Sequence, residues 1–514
     1  MAVQIIIKKN AYHDSVTLMS ISGKVAALDG VSDAVVAMAT DMNKELLQNV
    51  GMLTPEVEAC GSGDLVIAVK ADSEDICAEA VALVEESFAK KSGGKKGASE
   101  AKPSSVASAV KVMPEANMAI ISVPGEHAAR EAMQALKQGL HVMMFSDNVT
   151  VEDEKALKEY AHSQGLLMMG PDCGTAIINN VGLCFANAVN QGSIGIVGAS
   201  GTGTQEVSVL IDRFGGGVSQ VLGTGGRDLS EAIGGIAMMD GLIALNADPA
   251  TKVIVLVSKP PAKTVAEKIL DQVSKCSKPV VVCFINAAQA DRPNEQVYFA
   301  TSLENAAYKA VQLAEGKQKF DGECEHTALV EMAADRKAKL TSGQKYVRGL
   351  FCGGTLCDEA MYIVKDKVGT VYSNIAKQPE AKLSDPHTSK EHTFIDLGDD
   401  VFTVGRPHPM IEPGLRLPRL LQEAKDPSVA VIIMDIMIGY GSHVDPAGIT
   451  LPAIIEAKRI AQQEGRHLEI IAYVCGTDKD PQSRLEQEQK LAAAGVTLAK
   501  SNARAAYLAA AIVS

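Results

Sequence analysis

Apolar strand-like runs that end in glycine-rich turns and lead into helices constrain this chain more than any other feature of its sequence. From about residue 105 onward, such runs alternate with stretches of helical periodicity. Ser193–Gly215 is the clearest case, because an apolar run passes through a glycine-rich turn into a helical stretch. Parallel strands need crossover connections, which are usually helices, so the alternation predicts parallel sheets. The fold class is therefore predicted to be α/β.

The chain is too long for one hydrophobic core, since single cores stop growing at roughly 250–300 residues and this chain has 514. Its first part has three short strand-like runs with helical stretches between and after them, and this pattern predicts a small α+β domain. The predicted segments are this α+β domain at 1–90, a linker at 91–104, a Rossmann-like domain at 105–190, a second α/β domain at 191–315, a polar linker at 316–345 and a third α/β domain at 346–514.

Composition and charge narrow the function classes. The net charge is −13 and no basic stripe is visible, which argues against a nucleic-acid partner. The longest apolar stretch, Ala430–Tyr440, is interrupted by Asp435 and is too short to span a bilayer, and the start of the chain lacks a signal-peptide pattern. Ten scattered cysteines form no paired framework. We therefore expect a cytoplasmic protein with reduced thiols, and neither nucleic acid nor membrane as a partner.

The strongest local signal is the turn in Ser193–Gly215. Free backbone N–H groups at a helix start, with hydroxyls beside them, form a ready anion site, and glycines let a ligand approach the backbone. No lysine follows the last glycine, so the turn is not a Walker A motif. The alternative is a well-capped turn that binds nothing. The predicted phosphate-binding residues here are Ser200, Gly201, Thr202, Gly203 and Thr204.

Two further turns repeat this pattern after other strands. Because ligands of open α/β sheets bind at the carboxyl ends of the strands, the three turns together predict a site for a small anionic metabolite. An arginine in one of them is suited to pair with the anion. The added residues are Gly225, Gly226 and Arg227 in one turn, and Gly353, Gly354 and Thr355 in the other.

The runs LLMMGPDCGT, GIVGASGTGTQE and GTGGRD resemble the α subunit of succinyl-CoA synthetase. FCGGTLCDEA, FIDLGDDV and IMDIMIGYGSHVD resemble the C-terminal domain of that enzyme's β subunit. The order of parts, with a small domain in front, resembles the FdrA family of fused proteins. The resemblance implies a CoA-binding-type Rossmann domain at 105–190 and flavodoxin-like ligase domains at 191–315 and 346–514. It also implies coenzyme A as a candidate cofactor, partner subunits and an oligomer.

The departures from the synthetase are as informative as the matches. Its phosphate-carrying histidine has no counterpart, because Cys283 to Ala300 contains no histidine, and its ATP-grasp domain is missing. Where the synthetase has a glutamate, this chain has Lys259, and a lysine suits an anionic phosphate directly. The FdrA resemblance implies carbamoyl transfer between a ureido acid, such as oxalurate, and phosphate.

The preferred hypothesis is therefore a subunit of a carbamoyltransferase-type complex, which uses carbamoyl phosphate and an oxalurate- or oxamate-like substrate in purine-derived nitrogen catabolism. One alternative is an acyl-CoA synthetase or CoA-transferring subunit that needs a partner chain. The other is a non-catalytic, metabolite-binding scaffold.

Lys259 and His443 are the predicted catalytic residues. For Lys259 the alternative is an exposed lysine bonded to nothing, and for His443 a surface histidine in a polar loop. His408, in a proline-rich stretch, is a candidate substrate or partner contact whose role the sequence does not fix. Asp396, Asp399 and Asp400 are interpreted as solvent-facing carboxylates, and no metal site is predicted. Cys173 has no base that the sequence places beside it, so it is not interpreted as a nucleophile.

Overall fold

The computed structural model divides the chain into two compact units, Met1–Lys102 and Pro103–Ser514. It describes the chain from Ala2 to Ser514 except for Tyr12, Asp14, Ala27, Asp29, 93–102, 288–292, Lys319, 321–326 and 404–406. Most of the predicted linker 91–104, and most of the segment that replaces the synthetase's histidine loop, lie outside the described residues.

The first unit is an antiparallel sheet of three strands with helices. The central strand pairs with both others, so the strand order is β1-β3-β2. All but one of the residues of this central strand are buried, which explains its continuous apolar sequence. The elements are β1 (Ala2–Lys8), α1 (Ser15–Ala26), β2 (Val31–Met38), α2 (Asp41–Asn49), α3 (Pro55–Glu58), β3 (Leu65–Ala71) and α4 (Glu74–Ser92).

The second unit opens with a small parallel sheet in the order β4-β5-β6. Its last strand contains only two residues, Met168 and Met169. Thr150 caps the third helix of this sheet, since its side chain accepts the N–H of Asp153. The elements are α5 (Val106–Val112), β4 (Met118–Ile121), α6 (Gly125–Lys137), β5 (His141–Met144), α7 (Val151–Ser163) and β6 (Met168–Met169).

A seven-stranded sheet follows, in the order β13-β12-β11-β9-β10-β7-β8. The five strands from β9 to β13 run parallel to one another, and β7 and β8 form an antiparallel hairpin at one edge. The elements are β7 (Thr175–Ile178), β8 (Val181–Cys184), β9 (Gln191–Ala199), α8 (Gly201–Arg213), β10 (Val218–Gly223), α9 (Ile236–Ala247), β11 (Val253–Ser258), α10 (Lys263–Ser274), β12 (Val280–Phe284), β13 (Val297–Phe299) and α11 (Leu303–Ala314).

A six-stranded, entirely parallel sheet completes the unit, in the order β15-β16-β14-β17-β18-β19. The elements, with two 3-10 turns at Pro379–Ala381 and Pro413–Leu415, are α12 (Thr327–Lys337), β14 (Tyr346–Phe351), α13 (Gly354–Val368), β15 (Tyr372–Ser373), β16 (Thr393–Asp396), α14 (Asp400–Thr403), α15 (Arg416–Ala424), β17 (Val429–Met437), α16 (Pro446–Gln463), β18 (Glu469–Cys475), α17 (Arg484–Ala493), β19 (Thr497–Ala499) and α18 (Asn502–Val513).

The apolar stretch Ala430–Tyr440 forms the central strand β17, all nine of whose residues are buried. Asp435, which interrupts that stretch, is compensated by an ion pair with Arg416 at 2.6 Å. The alanine-rich α18 packs on α12 and α13, and most of its residues are buried. Within the described part of the chain, no helix has the length and apolarity needed to cross a membrane.

Candidate functional site

The site begins where β9 ends. Because β9 and β11 are parallel neighbours, with Val257 opposite Gly198 and Ser258 opposite Ala199, both strands release their chains at the same edge. The helix α8 starts there directly. Its N-cap Ser200 accepts a hydrogen bond from the N–H of Gly203 at 3.0 Å.

The helix α13 of the other sheet starts against this turn. The hydroxyls of Ser200 and Thr355 are hydrogen-bonded at 2.5 Å, and the Thr355 N–H reaches the Thr202 hydroxyl at 3.4 Å. Gly203 makes the approach possible, since a β-carbon there would lie 2.9 Å from a methyl carbon of Thr355. Two turns that are 155 residues apart in the sequence therefore form one junction, which we call the α8–α13 junction.

The backbone donors of the two turns differ. In the first turn of α8, the N–H groups of Gly201 and Thr202 precede the first intrahelical hydrogen bond, which runs from the Thr204 N–H to the Ser200 carbonyl. In the turn before α13, the N–H groups of Cys352 and Gly353 both donate to Asp435, at 2.8 Å each. The predicted role of Gly353 as a phosphate donor is thus corrected in part, because its amide already has an anionic partner within the protein.

Lys259 lies at the same junction. Its ammonium forms an ion pair with Asp358 of α13 at 3.1 Å, so the alternative of a lysine bonded to nothing does not hold. A β-carbon on Gly354 would lie 3.5 Å from the ammonium nitrogen, which places the cation beside the start of α13. Burial lowers the pKa of Lys259, but Asp358 and Asp396 outweigh burial and raise the pKa above its ordinary value. Lys259 is therefore cationic at neutral pH.

Asp396 was interpreted as solvent-facing, and that interpretation is wrong. The residue is only 7% exposed, because it ends β16 in the interior of the six-stranded sheet. Burial raises the pKa of its carboxyl to about 7, although Lys259 acts in the opposite direction. The neighbouring Asp400 is exposed, as expected.

The third glycine turn lies beside Asp172, and the geometry explains its glycines. Gly225 has a positive φ of 85°, and a β-carbon on it would lie 2.1 Å from the Pro171 carbonyl. A β-carbon on Gly226 would lie 3.5 Å from the Asp172 carboxyl. Burial and the carboxylate of Asp147 raise the pKa of Asp172 to about 6, while Arg227 and Lys259 lower it.

Arg227 is already paired within the protein. Its guanidinium lies 2.9 Å from Glu154 and donates to the Val149 carbonyl at 2.7 Å. Glu154 is buried and also pairs with Lys158 at 2.8 Å. The side chain of Arg227 is 46% exposed, so it can still meet a ligand, but only while it shares its charge with Glu154.

The two candidate histidines lie on adjacent loops. The N–H of His443 donates to the Met410 carbonyl, and its Nδ1 accepts the N–H of Asp445 at 3.0 Å. His408 lies beside Gly398 and Asp396, because a β-carbon on Gly398 would be 2.6 Å from His408 Nε2 and 3.2 Å from Asp396 Oδ1. Burial lowers the pKa of His408, so its imidazole is neutral at pH 7. A catalytic role for His443 stays a prediction, and His408 is the histidine whose contacts lead towards Asp396.

The cysteines near the junction are thiols rather than thiolates. Burial raises the pKa of Cys173 to about 12, and it raises the pKa of Cys352 and Cys357 above the ordinary value as well. A buried neutral thiol is a poor nucleophile. This agrees with the sequence interpretation of Cys173.

Family models match three parts of the chain. A model described as CoA-ligase matches residues 350–512, and one described as CoA binding domain matches residues 189–286. A third, described as AllF, heavy metal-associated domain, matches residues 1–104. The sequence had assigned the CoA-binding type to 105–190, whereas the match falls on the segment that carries α8. The chain is therefore an α/β protein with a CoA binding domain and a CoA-ligase domain.

The chain is 55% identical to YahF of Escherichia coli (strain K12), described as an uncharacterized protein, over 99% of this chain and 98% of that one. The chain belongs to the same family as YahF. It is also 30% identical to the succinate–CoA ligase [ADP-forming] subunit alpha of Methanothermobacter thermautotrophicus, over 34% of this chain and 59% of that subunit. Among solved structures, the chain is similar to the dinucleotide-forming acetyl-coenzyme A synthetase 1 of Ca. Korarchaeum cryptofilum, with 16% sequence identity and a TM-score of 0.31. The match covers 77% of this chain and 82% of the synthetase chain.

The described residues of the first unit show no converging ligands for the heavy metal that the description of its family model names. Its cysteines, Cys60 and Cys77, are both buried, and their thiols donate to carbonyl groups at Glu56 and at Ala2 and Val69. Soft metals need thiolate or imidazole groups that converge. Among the described residues, no three His, Cys, Asp or Glu side chains converge in this way.

Proposed function

We propose that the chain is the phosphate-binding subunit of an acyl-CoA synthetase-like enzyme, and that its substrate is an acyl phosphate held at the α8–α13 junction. The observation that supports this most directly is the meeting of two helix N-termini with Lys259. Each helix directs partial positive charge at its first turn, and both helices exceed three turns. The lysine adds a full positive charge at the same place.

An acyl phosphate is the substrate class that this junction and the comparisons favour together. The CoA-ligase and CoA binding domain models support acyl transfer that involves coenzyme A, and the succinate–CoA ligase relative supports it further. The backbone N–H groups of Gly201 and Thr202, with Lys259, are the donors suited to a phosphate group. Such donors fit a phosphate of coenzyme A equally well, so the cofactor is consistent with the residues present.

The chemistry that we propose does not pass through a phosphohistidine. No histidine occurs between Cys283 and Ala300, and the histidines near the junction lie on the loops that follow β16 and β17. The phosphate would therefore stay part of the substrate. Incubation of the purified chain with labelled ATP should leave no acid-labile phosphate on it, and stoichiometric labelling would contradict this proposal.

Carbamoyl phosphate is the second candidate, as one particular acyl phosphate. One observation favours it: the first unit matches the domain described by the name AllF. The comparisons support the acyl-CoA synthetase alternative more than a carbamoyltransferase. In either case we propose that a partner chain completes the enzyme, since the succinate–CoA ligase relative is itself a subunit.

Calorimetric titration of the chain separates these candidates. We expect phosphate to bind in every case that we propose. Binding of coenzyme A and acetyl phosphate would favour the synthetase-like enzyme, whereas preferential binding of carbamoyl phosphate would favour the second candidate. A chain that binds none of these four compounds would contradict both, and the stability of the fold can be checked by thermal shift in the same samples.

A further inference from the structure

Asp396 is held rigidly, with one oxygen left for a ligand. Its backbone N–H donates to the Asn374 amide oxygen, and its carbonyl accepts from the same amide, both at 3.0 Å. Its Oδ1 accepts the N–H of Gly398 at 2.9 Å. Among the residues that the structure describes, none donates to Oδ2. The carboxyl group is thus fixed in place by bonds that do not involve Oδ2.

The free oxygen points to the α8–α13 junction. A β-carbon built on Gly354, the first residue of α13, would lie 2.4 Å from Asp396 Oδ2 and 3.5 Å from the Lys259 ammonium nitrogen. The carboxyl oxygen and the cation therefore flank the same residue at the helix start. A glycine is needed there because any side chain would occupy the space between them.

Burial leaves the carboxyl group of Asp396 neutral for part of the time at pH 7. Burial raises the pKa of its carboxyl to about 7, more strongly than Lys259 lowers it. Asp435, which also faces it, is engaged by Arg416 and by two backbone N–H groups. The titratable and charged groups that face Asp396 from the packed elements are Lys259, Cys352, Cys357, Asp399, His408 and Asp435.

We propose that Asp396 is the proton donor of the site: its protonated Oδ2 hydrogen-bonds an oxygen of the bound phosphate group and gives it the proton during transfer. This inference rests on the proposed function. As the bond between the acyl carbon and the phosphate oxygen breaks, its electron pair goes to that oxygen, which takes the proton from Asp396. The nucleophile, a thiol in a coenzyme A-dependent transfer, forms the new bond to the acyl carbon, and the proton that the thiol loses restores Asp396.

Sulfate is the probe that tests this inference, because it stays a dianion between pH 6 and pH 8. If sulfate binds only when Asp396 is protonated, its apparent affinity should fall about tenfold from pH 6 to pH 8, in proportion to the protonated fraction. Asp396→Asn imitates the protonated carboxyl and can still accept the Gly398 N–H. This variant should bind sulfate with the same affinity at both pH values.

Asp172→Asn is the matched control. Burial raises the pKa of the Asp172 carboxyl group, as it does for Asp396, and Asp172 also lies near Lys259. It should keep the full pH dependence of sulfate binding. Loss of the dependence in Asp172→Asn, or its retention in Asp396→Asn, would overturn the assignment to Asp396 and leave the proposed phosphate site intact. Failure of the wild-type chain to bind either sulfate or phosphate would overturn both.

A measurement on the wild-type chain covers the case in which Asp396→Asn does not fold. Calorimetry at pH 8 in buffers of different ionisation enthalpy gives the number of protons taken up with each sulfate. We expect close to one proton, since nearly all Asp396 carboxyls are ionised before binding at that pH. Sulfate binding without proton uptake would overturn the inference.

Discussion

Lys259 stands between the carboxyl groups of Asp358 and Asp396, and an arriving phosphate must compete with both. The ion pair with Asp358 at 3.1 Å holds the ammonium against α13 before any ligand binds. With 38% of its side chain exposed, Lys259 keeps a side open to a ligand. A lysine that is pre-positioned in this way loses little conformational freedom when an anion joins the pair.

Replacement of Lys259 tests this arrangement at the scale of one residue. Lys259→Ala should weaken phosphate binding about tenfold, the low end for a charge-assisted contact, because solvent screens a partly exposed cation. Lys259→Glu should weaken it further, since a carboxylate would then face both Asp358 and the anion. Calorimetric titration measures both effects.

Lys268 supplies the control for this pair of variants. It is an exposed lysine of α10, on the helix that follows the Lys259 loop. Lys268→Glu makes the same change of charge without reaching the α8–α13 junction. Equal phosphate affinities for Lys259→Glu, Lys268→Glu and the wild type would show that Lys259 takes no part in binding.

At the scale of elements, the first turn of α8 contains two glycines with different roles. A β-carbon on Gly203 would lie 2.9 Å from a methyl carbon of Thr355, so Gly203→Val should force the two turns apart and destabilise the fold by about 1–3 kcal/mol. At Gly201 the nearest atom, the Thr175 hydroxyl, is 3.9 Å away. Gly201→Val should therefore fold, and it should weaken phosphate binding by covering the backbone N–H groups.

Thermal unfolding and calorimetric titration distinguish the two glycine variants. Gly343→Val, in an exposed turn with no atom within 4 Å of the added β-carbon, is the control for the general effect of this substitution. If Gly201→Val folds and binds phosphate as the wild type does, the α8 amides are not the anion donors.

The helices α8 and α13 also share a buried pair of carboxyl groups. Asn502 joins them, since its N–H donates to Glu206 at 3.2 Å and its side-chain amide donates to Glu359 at 2.8 Å. Burial raises the pKa of both glutamates to about 7. Since an unfolded chain would release these protons near the ordinary value of 4.5, the folded state binds more protons between about pH 4.5 and 7.

The stability of the second unit should therefore fall as the pH rises through that interval and level off above pH 7. Glu206→Gln and Glu359→Gln should each reduce the decrease, because an amide cannot ionise. The decrease can be followed as the change in unfolding temperature between pH 5 and pH 8. Glu267→Gln, at an exposed position of α10, should leave it unchanged, and a decrease of the same size in all variants would contradict this assignment.

Local patterns predicted much of what lies within one element. The α/β class and the three glycine turns follow from periodicity and turn chemistry, which are short-range properties. The contact of Ser200 with Thr355 does not, because it depends on how two sheets pack. For the same reason the sequence did not predict that Glu154 would pair with Arg227, or that Asp396 would be buried while Asp400 is exposed.

At the scale of the molecule, both sheets that meet at the α8–α13 junction belong to one chain. A cut after Gly316 would leave the seven-stranded sheet in the first fragment and the six-stranded sheet in the second. We expect the fragments 1–316 and 317–514 to bind phosphate only when they are mixed, and to lose binding on dilution. The intact chain should bind with an affinity that does not depend on protein concentration, and concentration-dependent binding by the intact chain would contradict this view of the junction.

The hydrogen bond between Ser200 and Thr355 is therefore formed within one chain, and its formation does not depend on the concentration of the protein. If the N-termini of α8 and α13 were on separate chains, their association would depend on the concentrations of both chains. Because one chain carries both, each N-terminus experiences a fixed effective concentration of the other. The entropy lost in closing so long a connection grows only with the logarithm of its length. Each molecule that folds therefore contains one complete junction. The number of junctions equals the number of folded chains, and the cell does not have to synthesise two separate chains in equal amounts.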